Sequence, residues 1–211
     1  MNYDLIMATN NAHKLEEVRQ ILGEAYVVKG LNDIGCTEDI PETADTLEGN
    51  ALQKARYVHE HYGVDCFADD TGLEVDALGG APGVYTARFG NMNGYGESHD
   101  AGANIRCLLD KLKSADTRTA RFRTVIALVK GQGAGGKGQE ELLFEGIVEG
   151  NILSQPVGEG GFGYDPIFAP LEAGGMAFAQ MSAEAKNAIS HRGRATKKFA
   201  EYLIKGEKVK K

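Results

Sequence analysis

The carboxylates Asp69 and Asp70 are adjacent in the chain and follow the apolar pair Phe67-Ala68. Two acids side by side repel each other unless something cationic stands near them. A hard divalent ion such as Mg2+, which takes oxygen ligands, would neutralise them. Thr71-Gly72 adds a hydroxyl and a flexible backbone N–H beside the pair. The same residues also fit a solvated acidic turn. Thr9-Asn10-Asn11 with Lys14 is a second constellation. A polar loop leading into a helix offers free backbone N–H groups to a phosphate, and Lys14 would add a point charge. Taken alone, these residues are more simply a capped helix start with a surface lysine. Lys186 with Ser190-His191-Arg192-Gly193 is a third: two fixed cations and an imidazole that could read a purine edge or grip phosphates, arginine donating two bonds to one acceptor face. A helix terminus with surface basic residues accounts for it as well. The fourth is Phe162 with Tyr164-Asp165, an aromatic face for a base and a carboxylate for a ring N–H, or a turn whose aromatics pack in the core.

These groups need elements to position them. Residues 5–8 are a short apolar run ending at Thr9-Asn10-Asn11, which predicts strand, tight turn and helix, with Asn11 as N-cap and Gly23 as stop. Leu15, Val18, Ile21 and Leu22 fall at helical spacing. A second helix is predicted over 47–61, with Leu47, Ala51, Leu52, Ala55 and Val58 along one side and Glu42, Asp45 and Glu48 near its positive end. Residues 64–68 read as a buried strand running into Asp69-Asp70. Turn residues fill 79–83, and a helix is expected around 101–112. Residues 119–129 and 142–148 are β-branched and aromatic runs joined by a glycine-rich loop at 131–138, which predicts an antiparallel hairpin. Helices over 183–188 and about 193–204 close the chain, with Ala195, Phe199, Ala200 and Leu203 as packing positions. Early alternation followed by antiparallel strands predicts an α/β fold with a mixed sheet and flanking helices.

Composition narrows the partners. The 211 residues carry a net charge of −7, with 42% hydrophobic and 25% charged residues, ordinary values for a soluble globular chain. An acidic balance argues against gripping a nucleic-acid backbone, which needs clustered Lys and Arg; a single triphosphate needs only a few local cations. No apolar run is long enough for a membrane span, and Met1-Asn2-Tyr3-Asp4 has no basic n-region, so a cytoplasmic location is expected. Cys36, Cys66 and Cys107 form no CxxC pair and are expected as buried thiols. Gly131-Gly133-Gly136 and Gly158-Gly160-Gly163 both spell G-x-G-x-x-G, but neither follows a strand and opens a helix as a dinucleotide site requires. The basic tail at 205–211 is expected to fray.

The order of the blocks is more specific than any one of them. Thr9-Asn10-Asn11-x-x-Lys14 precedes Glu48-x-Asn50-Ala51-x-x-Lys54-Ala55. Next comes a block from Ala68-Asp69-Asp70-Thr71-Gly72-Leu73 through Gly79-Gly80-Ala81-Pro82-Gly83-Val84-Tyr85 to Ala87-Arg88. Gly161-Phe162-Gly163-Tyr164-Asp165-Pro166-Ile167-Phe168 and Lys186-Asn187-x-Ile189-Ser190-His191-Arg192-Gly193 complete the series. This closely resembles the inosine/xanthosine triphosphate pyrophosphatase family, which removes deaminated purine nucleotides from the pool, and the match runs from the first strand to the last helix. The resemblance implies one domain over 1–211, elongated and two-lobed around the mixed sheet, with the substrate in a cleft between the lobes, and a homodimer. It implies Mg2+-dependent hydrolysis of the α–β phosphoanhydride of ITP, dITP or XTP to the monophosphate and pyrophosphate. Thr9, Asn10, Asn11 and Lys14 match the triphosphate loop. Glu42 and Asp70 match the metal acids, and Asp70, beside Asp69, matches the proton acceptor. Thr71, Phe162, Gly163, Tyr164, Asp165, Lys186, His191 and Arg192 match nucleotide-binding positions, the last three basic groups being able to donate to the 6-oxygen of inosine or xanthosine. Asn10 and Thr71 stand where many members have glycine and serine, and Gly49 replaces a common acidic residue. The rivals are a pyrophosphatase for modified pyrimidine nucleotides and a nucleotide sensor that does not hydrolyse; the retained acids oppose the second.

Overall fold

The computed structural model describes residues 3–131 and 139–209; the glycine-rich loop expected at 131–138 lies outside them except for Gly131. The chain starts with strand β1 (Tyr3–Met7), helix α1 (Ala12–Leu22) and strand β2 (Tyr26–Lys29). Asn11 caps α1 as its sequence position predicts, its side chain accepting from the Lys14 backbone N–H, and the chain leaves the helix at Gly23 with a positive φ of 65°. Helix α2 (Leu47–Tyr62) is capped by the Thr46 side chain and closed by Gly63 in the left-handed conformation, where a Cβ is unfavourable.

Strand β3 (Cys66–Val75) continues well past the run that predicted it. Asp69, Asp70, Thr71 and Gly72 are therefore strand interior and not a turn. The strand is buried along almost its whole length, as expected where both faces are covered. The two-residue strand β4 (Pro82–Gly83) pairs antiparallel with β3. The short helix α3 (Phe89–Met92) and helix α4 (Ala101–Lys111) follow, α4 being capped by Asp100. Strands β5 (Thr119–Lys130) and β6 (Glu140–Ile152) are longer than their apolar runs. The Ile152 N–H donates to Arg118 O at 2.9 Å, and Lys130 meets Glu140 at 3.0 Å, so the two run in opposite directions as a hairpin must. Strand β7 (Phe168–Pro170) and helices α5 (Ala183–Ile189) and α6 (His191–Val209) complete the chain.

The sheet is mixed, in the order β2-β1-β3-β5-β6-β7. Strand β1 is parallel to both β2 and β3, while β7 is antiparallel to β6. Both β2 and β7 are too short to signal themselves by periodicity. Helix α6 begins at His191, ahead of Gly193, because the Ser190 N–H closes α5 onto Lys186 O and α6 starts at the next residue. The tail expected to fray continues α6 as far as Val209. Among the described residues no helix is long and apolar enough to cross a membrane.

Contacts divide the chain into two compact units, Met1–Asp70 with Thr124–Gly146 and Arg192–Lys211, and Thr71–Arg123 with Ile147–His191. Each has its own core. The first gathers Met7, Val18, Leu22, Val28, Ile126 and Ala195 around Phe67, whose ring lies 4.8 Å from that of Phe199. In the second, Phe122 meets Phe168 edge-on at 4.7 Å amid Leu73, Leu108, Ile152 and Phe178. Cys36, Cys66 and Cys107 are buried and unpaired by disulfides.

Candidate active site

Successive strand residues point to opposite faces, so Asp69 and Asp70 on β3 meet different partners. Asp69 is fully buried and takes Lys14 Nζ on one oxygen at 3.1 Å and Arg192 Nε on the other at 3.2 Å. Helix α1 brings Lys14 from its first turn, and α6 brings Arg192 from its own. The guanidinium also bridges to Glu17. Burial alone would raise the Asp69 carboxyl, but Lys14, Arg192 and Lys54 together hold it well below the usual carboxylate range.

Asp70 faces α2. Its Oδ2 accepts from Asn50 Nδ2 at 3.1 Å, and Lys54 Nζ stands 3.7 Å from its Oδ1. Here burial outweighs Lys54 and Lys14, and the Asp70 carboxyl is raised above its ordinary value. Lys54 also bonds Glu42 and donates to the Asp69 carbonyl at 2.8 Å. Glu42 moves the other way: burial pushes it up, but Lys54 prevails and lowers it. Two acids expected as neighbours in one coupled pair thus have separate environments, Asp69 held down by Lys14 and Arg192 and Asp70 raised by burial.

The residues fit a magnesium ion modestly. Glu42 and Asp70 supply hard oxygens, and both already converge on one cation, the Lys54 ammonium. Mg2+ characteristically takes one or two carboxylates and completes its shell with water and substrate phosphates. Among the described residues no three acids, histidines or cysteines form a closed metal cage. Asp69, tied to Lys14 and Arg192, is the acid least suited to be a ligand.

The loop before α1 is ordered by its own side chains, the Asn11 N–H donating to Thr9 Oγ1 at 3.1 Å, while Asn10 is exposed. In the second unit, Asp165 Oδ2 accepts from Lys186 Nζ at 2.7 Å and from the Phe162 N–H at 2.8 Å. The Lys186 ammonium sits 4.8 Å from the Phe162 ring centroid, within cation–π range. Thr71 is half-buried on β3. The Tyr164 ring is 2% exposed, and its hydroxyl donates to Thr86 O; it packs in the core, leaving its backbone as the part able to meet a ligand. His191 stacks on Phe122, with ring centroids 4.7 Å apart.

Lys186 pairs with Asp165, His191 stacks on Phe122, and Arg192 bonds Asp69 and Glu17. The Ser190-His191-Arg192 run is no surface terminus, since all three are buried. Lys54 and Glu17, to which the sequence assigns no role, join the acidic cluster. Lys54 had a readable signal, a lysine on the apolar stripe of α2 beside Ala51, Ala55 and Val58. Glu17 had none, because its partner Arg192 lies near the other end of the chain.

The glycine cluster at 158–163 also finds its reason. A Cβ on Gly158 would fall 2.6 Å from Ala179 O, and one on Gly161 would fall 2.2 Å from Asp165 Oδ2. Gly161 also has φ +75°. Gly161→Ala is expected to displace the Asp165 carboxylate and to lower stability by about 1–3 kcal/mol from backbone strain. Thermal unfolding would register the second effect and the KM for substrate the first; an unchanged KM would mean that Asp165 does not need this placement.

The α/β chain with its mixed sheet thus carries a buried array of acids threaded by two lysines and an arginine, residue types whose charges can meet a cation and a polyanion. The chain belongs to the Ham1 family, whose model matches residues 5–202. A Porphyromonas gingivalis protein named dITP/XTP pyrophosphatase is 53% identical over 201 residues, 95% of this chain and 97% of its own. One of the same name from Christiangramia forsetii is 49% identical over 95% of this chain and 99% of its own. The solved Ham1 protein of Staphylococcus aureus superposes with a TM-score of 0.81 at 37% identity, covering 97% of this chain and 99% of that one.

Proposed function

We propose that the protein hydrolyses non-standard purine nucleoside triphosphates (dITP, XTP and ITP) at the α–β phosphoanhydride, releasing the monophosphate and pyrophosphate. The observation that carries this reading is the pair of environments on β3: Asp69 salt-bridged to Lys14 and Arg192, and Asp70 raised by burial beside Lys54. The names of the relatives agree with it.

Asp70 is the proton acceptor in this reading. A base works best with a pKa near the operating pH; burial moves Asp70 in that direction, whereas Asp69 is held ionised and is a poor base. Lys14 and Lys54 neutralise phosphate oxygens, and Asp69 with Glu17 holds Lys14 and Arg192 in place. Mg2+ held by Glu42 and Asp70 would neutralise charge on the phosphates and lower the pKa of a water. The Thr9–Asn11 loop lends the N–H groups at the start of α1 to the phosphate chain. In the same reading the Phe162 ring stacks on the base, Lys186 donates to the 6-oxygen, and Asp165 fixes Lys186. A 6-amino group facing that donor would leave it unpaired, at about 1–3 kcal/mol. A cytoplasmic homodimer with no nucleic-acid partner belongs to the same reading, supported by the family and by the net charge of −7.

The test is a panel of dITP, XTP, ITP, GTP, ATP and a pyrimidine triphosphate, scored for pyrophosphate and free phosphate with Mg2+ and with EDTA. Pyrophosphate from the first three, lost in EDTA and restored by Mg2+, is the expected result. Free phosphate, equal turnover of all six, or binding without release would overturn it.

A further inference from the structure

Asn50 touches Asp70 but has been given no role in the reaction, and its side chain is bonded at both ends. It is 1% exposed. Its Oδ1 accepts from the Ala44 backbone N–H at 2.9 Å, and its Nδ2 donates to Asp70 Oδ2 at 3.1 Å. The first bond settles the second. A backbone N–H can only donate, so the amide oxygen must face Ala44 and the amide nitrogen must face Asp70. The base of Asn50 is fixed as well, since its own N–H closes onto Thr46 O in the first turn of α2.

The segment carrying Ala44 sits tightly against that turn. A Cβ on Gly49 would lie 2.6 Å from Ala44 Cβ and 3.1 Å from Thr46 Oγ1. The glycine at 49 thus allows the approach that brings the Ala44 N–H to Asn50. A continuous chain runs from the Ala44 backbone through Asn50 to one oxygen of Asp70. The other oxygen is left directed at the Lys54 ammonium, 3.7 Å away.

We propose that Asn50, seated by the Ala44 amide and by the absence of a side chain at Gly49, is the positioning residue that pins Asp70 Oδ2 and so presents Oδ1 to the reacting groups. This rests on the reading of Asp70 as the proton acceptor. Because Asn50 acts on the geometry of a reacting carboxylate and not on ground-state binding, its loss falls on kcat. Misplacing a reacting group slightly is enough to slow turnover about tenfold to a hundredfold.

The test measures dITP turnover by Asn50→Ala, Asn50→Asp and Asn50→Leu, alone and combined with Asp70→Glu, whose extra methylene moves the carboxylate off the position that Asn50 pins. Asn50→Asp keeps the acceptor for the Ala44 N–H but faces Asp70 with a second carboxylate, so it is read beside Asn50→Leu, which is close in volume and removes the donor without adding charge; Asn50→Leu decides the matter if Asn50→Ala fails to fold. The expected result is a fall in kcat of about tenfold or more with KM within about twofold, and no further fall when any of these changes is added to Asp70→Glu. Gly49→Ala, which leaves Asn50 in place but pushes Ala44 away, should show the same split in weaker form. A folded variant with unchanged kcat, a rise confined to KM, or an additive loss in the Asp70→Glu background would each overturn the proposal while Asp70→Asn stayed inactive. Near-normal turnover by Asp70→Asn would instead remove the reading of Asp70, and the role of Asn50 with it.

Discussion

Asp70→Asn is expected to lower turnover of dITP by about three orders of magnitude, within the range for loss of a positioned acid–base group, while leaving the fold at least as stable. The substitution is isosteric and removes the oxygen able to take a proton. Its effect on stability follows from the direction of the shift. Burial makes the Asp70 carboxyl easier to protonate in the folded chain than in the unfolded one. The contribution of that shift is favourable at low pH and is lost as pH rises through the folded value. At pH 7 ionised Asp70 is therefore a burden on the fold, and a neutral amide removes it. Lys54 keeps Glu42 as a partner, so no ammonium is stranded. An unfolding temperature equal to or above that of the parent, together with near-zero pyrophosphate release, would place Asp70 among groups kept for chemistry at some expense of stability. A large drop in unfolding temperature would show that Asp70 is structural, and substantial residual turnover would assign the proton to another group.

Arg192→Met should act in the opposite sense. The side chain is 2% exposed and is bonded to Asp69 and Glu17, Asp69 itself being fully buried. Methionine fills much of the volume but leaves buried carboxylates with a partner removed, a loss of about 3–5 kcal/mol for breaking a buried pair. For a chain of this size that corresponds to a fall of roughly 10 °C in Tm. The pH dependence carries the signature. Asp69 is depressed in the folded state, with Lys14 and Arg192 overcoming its burial. Its stabilisation is present above the unfolded value of about 3.9 and is lost as pH falls toward the folded value. The Tm gap between parent and variant should therefore be widest near neutrality and narrow below about pH 4, as Asp69 takes up a proton. Arg192→Lys should recover only part of the gap, since an ammonium keeps the charge but not the fork that reaches two acids. A gap that did not change with pH would mean that Arg192 stabilises by packing alone.

Both predictions depend on partners that are distant in sequence, and this marks what could be read directly from the chain. The cap at Asn11 and the helix stop at Gly23 follow from rules acting within a few residues, and both stand where expected. The mixed α/β character followed from the change in periodicity along the chain. The short strands β2 and β7 escaped because a few residues do not establish a period. The acids at 69 and 70 were legible as a site but not as two different sites. Read as a strand end running into a turn, they formed one coupled pair.

The amino-acid sequence by itself determined the family, the order of the site blocks and most helix boundaries, because each is encoded by neighbouring residues. Only the tertiary structure decided which acid is locked and which is poised. Continuing β3 through Asp69 and Asp70 turns them to opposite faces, and what waits on each face comes from elsewhere. Lys14 and Arg192 reach Asp69 from the first and last helices, while Asn50 and Lys54 reach Asp70 from α2. A buried carboxylate takes its protonation behaviour from the charges packed against it, and those charges are gathered by the fold.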